Sequence, residues 1–384
     1  MKVFFVLLLA LQLCGSVWAQ GEKPSAAAPE VLAKDLREEL LRTQATVKDM
    51  HGRQETRPLP MTVYRPPGDG PFPMVVFNHG RAVEARRASQ GRYQPEAAAR
   101  YLVAKGFVVL VPNRIGYGET YGGFDPENSG CRSIEPMSIA TSEQVLAAVE
   151  FAKTLPYVDT RRWVVAGQSV GGLTTVATVG RAPAGLQGGI NFSGGTGGNP
   201  DSNPGRPCNP GAITQYWGQI AKDAKVPMLW LYWENDKYWG AENPKTWHKA
   251  WVEGGGIAEF KGFAPVGEDG HSGLNTNMDQ WLPVVDAFLS QLGFDRPAIV
   301  KAPPPSAFAA IDATSSVPVG TSGKAAYAKF LEMALPRAFA VSSKGGFGVS
   351  RGDYAAGRAL GNCQRFGNPC TLYAVNSDVV WKPQ

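Results

Sequence analysis

Val164-Val165-Ala166-Gly167-Gln168-Ser169-Val170-Gly171-Gly172 is the stretch from which the rest of the chain is read. An apolar run over 162–166 has the form of a buried strand, ends in Gly-Gln-Ser-Val-Gly, and passes straight into a helical pattern over 173–181. A G-x-S-x-G string in that setting is a nucleophile elbow, a tight strand-to-helix turn that lifts the serine hydroxyl clear of the backbone. The glycines two before and two after Ser169 keep the turn free of side-chain clashes. The five residues alone are a common string, so the reading rests on their flanks and on finding an acid and a histidine later in the chain.

A serine hydroxyl is a poor nucleophile unless a neighbouring base takes its proton. The chain has 4 histidines. His51 precedes the central strands, His79 ends an early strand, and His248 lies in a Trp-rich helical stretch where an ordinary half-buried role suffices. His271, in the glycine-rich loop Gly267-Glu268-Asp269-Gly270-His271-Ser272-Gly273, is the candidate base. The candidate acid is Asp236, at the end of the strongly apolar run over 226–233, with Glu234 a rival two positions away. Asp269 is too near His271 in sequence to reach its ring. The order Ser169, Asp236, His271 suits a serine nucleophile, a general base and a carboxylate that fixes the base's tautomer.

The negative charge that develops on the substrate carbonyl needs preorganised donors. The Val170 amide follows the nucleophile at a helix N-terminus, and the loop after the strand over 73–77 offers Gly80 and Arg81, of which the Arg81 amide is preferred. His79-Gly80 reads equally as a buried turn held by the histidine. Arg114, Tyr117 and Glu119 follow another strand end; Tyr117 is a candidate substrate contact, as is Trp239 among the tryptophans around the acid loop. Trp230 and Trp247 read as core.

Strands expected over 61–65, 73–77, 107–111, 162–166, 189–192, 226–233 and 259–265 alternate with helical spacing over 95–105, 136–155, 173–181, 244–252 and 279–292. That alternation means an α/β fold, a mostly parallel sheet with helices on both faces, whose functional groups gather at the carboxyl ends of the strands. Helical spacing is also expected over 31–50. Residues 295–323, rich in Pro and Ala, read as a linker or wrapped extension, and 324–384 as a small α+β module. The expected organisation is thus a signal peptide over 1–19, an N-terminal extension over 20–59, the catalytic domain over 60–294, the linker and the module.

Lys2, an apolar core over 3–13 and Val17-Trp18-Ala19 have the form of a cleaved secretory signal, too short to span a bilayer. This points to a periplasmic or secreted protein without a transmembrane segment. Of the 5 cysteines, Cys14 falls in the signal, leaving Cys131, Cys208, Cys363 and Cys370. An even number in an oxidising compartment favours two disulfides, and position favours Cys131–Cys208 and Cys363–Cys370. The net charge of +5 over 384 residues forms no basic block, which argues against nucleic acid as a partner.

With these residues in view, 60–292 resembles the dienelactone-hydrolase-like branch of the α/β-hydrolases, and more loosely secreted acyl and polyester esterases. The matching pieces are Asn78-His79-Gly80, Gly167-Gln168-Ser169-Val170-Gly171-Gly172, Glu234-Asn235-Asp236 and Asp269-Gly270-His271. The resemblance implies the α/β-hydrolase fold, with Ser169 as nucleophile, Asp236 as acid and His271 as base. Dienelactone hydrolases carry cysteine at the nucleophile position, so Ser169 implies general serine esterase chemistry. The expectation is a monomeric exported enzyme that cleaves small or polymeric carboxylic esters through an acyl-enzyme, without metal or cofactor. The rivals are a serine peptidase of prolyl-oligopeptidase type and a non-catalytic cell-envelope binding protein. The final module resembles small accessory modules of secreted bacterial proteins.

Overall fold

Alternate residues of the central strands serve two different cores, which is why those strands are apolar throughout. The computed structural model describes residues 32–128, 131–364 and 369–383. The main sheet consists of β1 (Glu39–Lys48), β2 (Gln54–Tyr64), β3 (Phe72–Asn78), β4 (Val108–Pro112), β5 (Val158–Gln168), β6 (Leu186–Phe192), β7 (Met228–Trp233) and β8 (Ala258–Phe263), in the order β1-β2-β4-β3-β5-β6-β7-β8. From β4 to β8 all pairings are parallel, while β1–β2 and β2–β4 are antiparallel.

In β3, Val75 and Phe77 enter one core and Met74 and Val76 the other. In β7, Leu229, Leu231 and Trp233 are divided in the same way from Met228, Trp230 and Tyr232. The short helices α1 (Glu84–Arg87) and α2 (Glu96–Ala104) follow β3, and α3 (Glu135–Ala152) follows β4. Then come α4 (Val170–Gly180), α5 (Pro210–Ala221), α6 (Glu242–Glu253), the single turn α7 (Gly273–Thr276) and α8 (Met278–Gln291). Helices α2 and α8 cover the first core, and α3, α4, α5 and α6 the second. Each large apolar side chain sealed this way contributes about 1.5–3 kcal/mol.

Residues 32–50 do not form the helix expected over 31–50. After a 3-10 turn over Lys34–Leu36, β1 runs from Glu39 to Lys48. Ala45 and Val47 are buried, whereas Leu40, Arg42, Gln44, Thr46 and Lys48 are exposed, a period of two that pairs with β2 from Glu39↔Val63 to Lys48↔Gln54. The helical reading rested on Val31, Leu32, Leu36, Leu40 and Val47, of which Leu40 faces solvent. The hairpin therefore belongs to the main sheet, although it begins inside the stretch read as an extension over 20–59. The signal expected over 1–19, with Cys14, and the Pro/Ala-rich residues 20–30 lie outside the described residues.

The C-terminal part adds α9 (Thr321–Leu331), β9 (Arg337–Ser342), β10 (Phe347–Arg351), α10 (Ala355–Gln364), β11 (Cys370–Val375) and β12 (Asp378–Val379). Its sheet is antiparallel, in the order β10-β9-β11-β12. Phe339 and Val341 pack with Tyr327 and Phe330 of α9, while Ala338 and Ala340 pack with Ala359 and Cys363 of α10. Small residues are required on the α10 side because a methyl group on Gly348 would come within 2.2 Å of the Ala359 carbonyl oxygen. Cys363–Cys370 closes this end, and Cys131–Cys208 ties the loop after β4 to the loop after β6. Among the described residues no helix is long and apolar enough to cross a membrane.

The module is docked, and residues 33–384 cluster as one unit. Tyr354 enters the first core, and its hydroxyl donates to the Ala298 carbonyl at 2.9 Å. Asp353 Oδ2 accepts from the Met278 amide at 2.5 Å, at the start of α8, and Asp279 Oδ1 accepts from the Tyr354 amide at 3.2 Å. The stretch read as a linker takes part in both halves, with Ala298 in the first core and Val317 and Val319 against Tyr327. Replacing Tyr354 with Ala should therefore destabilise the whole protein by about 3 kcal/mol, read by urea unfolding. Unchanged stability would show that the module is not held through this residue.

Candidate active site

Ser169 links β5 to α4 with φ 60° and ψ −122°, a backbone state that an L residue keeps only where its surroundings enforce it. Those surroundings are glycine contacts. A methyl group on Gly171 would lie 2.1 Å from the Asn78 carbonyl oxygen, and one on Gly167 would lie 2.3 Å from the Gly171 oxygen. The first turn of α4 therefore rests directly on the end of β3. Val170 is the first residue of α4, so its amide is among those with no partner inside the helix.

After Asn78 the chain turns through His79-Gly80-Arg81. A methyl group on Gly80 would lie 3.2 Å from Ser169 Cβ and 3.0 Å from Gln168 Oε1, so this loop lies against the elbow. His79 anchors it. The Arg114 amide donates to His79 Nε2 at 3.1 Å, leaving Nδ1–H to donate to the Gly80 carbonyl at 2.7 Å. The Arg114 side chain donates to the His79 carbonyl at 2.7 Å and to Glu127 Oε1 at 2.5 Å, and the Tyr117 hydroxyl donates to Glu127 Oε2 at 2.7 Å. Arg81 turns its guanidinium away to Asp125 at 2.7 Å and Glu127 at 3.3 Å.

Tyr117, expected to touch substrate, is thus fully buried with its hydroxyl committed to Glu127. Glu119 is also drawn elsewhere, pairing with Arg42 at 2.8 Å. Glu127 carried no recognisable sequence signal, because only the fold shows that its loop passes beneath Arg114.

The candidate acid and the candidate base are hydrogen-bonded to each other. Asp236 Oδ2 accepts from His271 Nδ1 at 2.9 Å, and Asp236 Oδ1 accepts from the amides of Tyr238 at 2.8 Å and Trp239 at 3.2 Å. Asp236 is buried, whereas Glu234 is exposed. Two side chains brace the acid loop against the base loop. Asp269 Oδ1 accepts from the amides of His271 and Lys237, both at 2.9 Å. Asn235 accepts from the Val266 amide at 3.0 Å and donates to the Val266 and Gly267 carbonyls, each at 3.2 Å. Asp269 is accordingly a loop brace that never reaches the imidazole.

The His271 ring is stacked on Tyr238, with centroids 4.0 Å apart, and meets the edge of Trp239 at 5.4 Å. Trp239, expected to line a substrate pocket, is only 1% exposed and donates from Nε1 to the Ser193 carbonyl at 2.7 Å. Its place is behind the base. The aromatic on the base's face is Tyr238, which the sequence reading did not single out.

Ser169 is brought to this pair through its neighbour, since Gln168 Nε2 donates to the His271 carbonyl at 3.0 Å. Among the described residues no hydrogen bond joins Ser169 Oγ to the His271 ring, whose Nε2 is left free by the bond from Nδ1 to Asp236. Closing a catalytic hydrogen bond on substrate binding is ordinary for free enzymes. No group of three or more His, Cys, Asp or Glu side chains among the described residues is arranged to hold a metal ion.

The anchoring network has a pH signature. Burial, with Arg114 beside it, lowers the His79 pKa to about 3. Burial pushes Glu127 up, but Arg114 and Arg81 outweigh it and bring the carboxyl down to about 2. Both groups bind fewer protons folded than unfolded. The stability they contribute is complete above their unfolded values and is lost as pH falls, from about 6.5 towards 3 for His79 and from about 4.5 towards 2 for Glu127. The melting temperature should fall between pH 7 and pH 4, and His79→Asn should fall less steeply over that range. Equal slopes would remove His79 from this account.

Residues 94–194, which include the elbow, match the model of the prolyl oligopeptidase family. No curated protein matches the chain. Among solved structures, an acylaminoacyl peptidase of Pyrococcus horikoshii is 17% identical, with 67% of this chain and 41% of that chain covered and a TM-score of 0.47. An esterase of Pyrococcus furiosus is 14% identical, with 70% and 98% covered and a TM-score of 0.46. A Klebsiella pneumoniae protein described as a dienelactone hydrolase is 18% identical, with 67% and 98% covered and a TM-score of 0.39. The chain spans about two fifths of the length of the acylaminoacyl peptidase. With its mostly parallel sheet and its strained serine elbow the chain has the α/β-hydrolase fold, and the match to the prolyl oligopeptidase family lies across that elbow.

Proposed function

We propose that the chain is an exported serine hydrolase that cleaves carboxylic esters through an acyl-enzyme. The observation that carries this reading is the hydrogen bond of 2.9 Å between His271 and a buried Asp236, on a loop tied to the residue before the strained Ser169. Ser169 Oγ attacks the ester carbonyl carbon while His271 Nε2 takes its proton. Asp236 holds the tautomer and offsets the imidazolium charge. The Val170 and Arg81 amides receive the developing oxyanion, the first at a helix N-terminus and the second on a loop fixed by His79. Collapse of the tetrahedral intermediate breaks the bond to the alcohol oxygen, which takes the proton from His271. Water then repeats the cycle and releases the acid. Export is supported by the signal-like start of the sequence and by the two disulfides.

A peptidase reading is favoured by the prolyl oligopeptidase match over 94–194. The same triad serves both chemistries, so substrates must separate them. A fluorophosphonate should label Ser169, and Ser169→Ala should abolish both labelling and hydrolysis of short p-nitrophenyl esters while the protein stays folded. Asp236→Asn should lower kcat by about 10³–10⁴. Amide cleavage that outpaces ester cleavage on matched acyl groups would replace the esterase by the peptidase. Unlabelled Ser169 would remove both readings.

A further inference from the structure

The β1–β2 hairpin rises above the sheet on the side of the candidate site. β2 pairs with β4 only over 61–64, opposite Pro112 to Val109, so 54–60 and the facing half of β1 continue past the carboxyl end of β4. At about 3.4 Å per residue this makes a projection of about 20 Å. It is fastened to the loop after β4. Arg53 donates to the Gly123 carbonyl at 2.7 Å, Arg57 to those of Thr120 and Gly122 at 3.1 and 3.0 Å, and both guanidiniums lie over the Phe124 ring.

Between this wall and the oxyanion loop lies a cavity of about 360 Å³. Asp49, His51, Arg81, Glu84, Arg87 and Tyr121 are among its lining residues. Arg81, which lines the cavity, follows Gly80, where a methyl group would lie 3.2 Å from Ser169 Cβ.

Its chemistry excludes two kinds of occupant. Arg81 and Arg87 both bind Asp125 at 2.7 Å, and Arg81 shares buried Glu127 with Arg114, so three guanidiniums meet two carboxylates before the rim is counted. The rim adds Glu84 and Asp49, and only Oδ1 of Asp49 is used, by the amides of His51 and Arg53 at 2.9 Å. An anionic group would meet surplus carboxylates. An alkyl group would strip water from charged side chains without replacing its hydrogen bonds. A neutral polyol satisfies the lining, because its hydroxyls donate to carboxylates and accept from guanidinium N–H groups. The Tyr121 ring, 38% exposed, gives a C–H face something to lie on.

We infer that this cavity is a subsite for a neutral polyhydroxylated group of about one sugar ring, carried as the alcohol half of the ester. The inference rests on the hydrolase reading for its setting, and its test separates the two. The full chain is assayed with an acetylated methyl glucoside, with cyclohexyl acetate, which has a six-membered ring without hydroxyls, and with acetylcholine. The sugar acetate should be preferred over cyclohexyl acetate in kcat/KM by about tenfold or more, and Tyr121→Ala and Glu84→Ala should each lower that ratio about tenfold. In parallel, methyl glucoside binding to the Ser169→Ala protein is followed by saturation-transfer NMR, with a signal expected that Tyr121→Ala abolishes. A sugar preference near one, a ratio unmoved by both variants, a preference for acetylcholine, or no binding of methyl glucoside would each overturn the subsite. Failure of the hydrolase reading appears separately, as absent fluorophosphonate labelling with sugar binding intact.

Discussion

The first turn of α4 lies on the end of β3 so closely that no side chain fits between them. At 2.1 Å from the Asn78 carbonyl oxygen, the missing methyl group of Gly171 sets the distance between helix and strand. That contact holds Ser169 at φ 60°, aims the Val170 amide outward, and brings the Gly80 turn against the serine. A residue in this backbone state costs about 1–3 kcal/mol, which is tolerated only because the rest of the fold over-determines it. The cost is met by the two apolar cores on either side of the sheet, which the alternating strands supply.

Two bracing systems extend from that contact, and they differ in chemistry. On the oxyanion side the brace is charged and buried: Arg114 and Glu127 are both fully enclosed, and His79 stays neutral between them. Removing one partner of such a pair leaves an uncompensated charge and costs about 3–5 kcal/mol, so the loop is rigid through the penalty of breaking it. On the acid–base side the brace is made of amides. Asp236 accepts from two amides of its own loop, Asp269 from one amide of each loop, and Asn235 ties Val266 and Gly267 to its own loop, so the His271 imidazole is placed by short-range hydrogen bonds and by the stacked Tyr238. One half of the site is therefore sensitive to acid and the other to loop geometry.

The module closes the far side of the first core. Tyr354 stands in that core with Trp281 and Tyr101, and its hydroxyl is anchored on the stretch that joins the two halves. The stretch over 295–323 is rich in proline, and its Ala298, Val317 and Val319 are buried, so its composition reflects an extended path across two surfaces. This explains why composition alone suggested a linker: an extended chain without regular hydrogen bonds has the same residue preferences whether it spans solvent or lies on a core.

The parallel sheet, the turn at Ser169, the aspartate after β7 and the histidine loop were legible in the sequence because each depends on local pattern. Apolar strands buried on both faces, glycines at a strained turn and the order of serine, acid and histidine are all one-dimensional signals. Contacts across the fold were not. The strand at 39–48 was missed because a few leucines at helical spacing outweighed an alternation of weaker residues, and only pairing with β2 decides between them. Tyr117 and Trp239 stand at strand ends, where a substrate contact was a fair expectation, but the partners that bury them, Glu127 and Ser193, lie in other loops. The choice of Asp236 over Glu234 came from position, and the fold supplies the reason, since one carboxylate faces inward to two amides and an imidazole while the other faces water. Sequence thus determines which residue types occupy which strand ends; only the tertiary structure decides which of them meet, because the meeting depends on side-chain direction and on loops far apart in the chain.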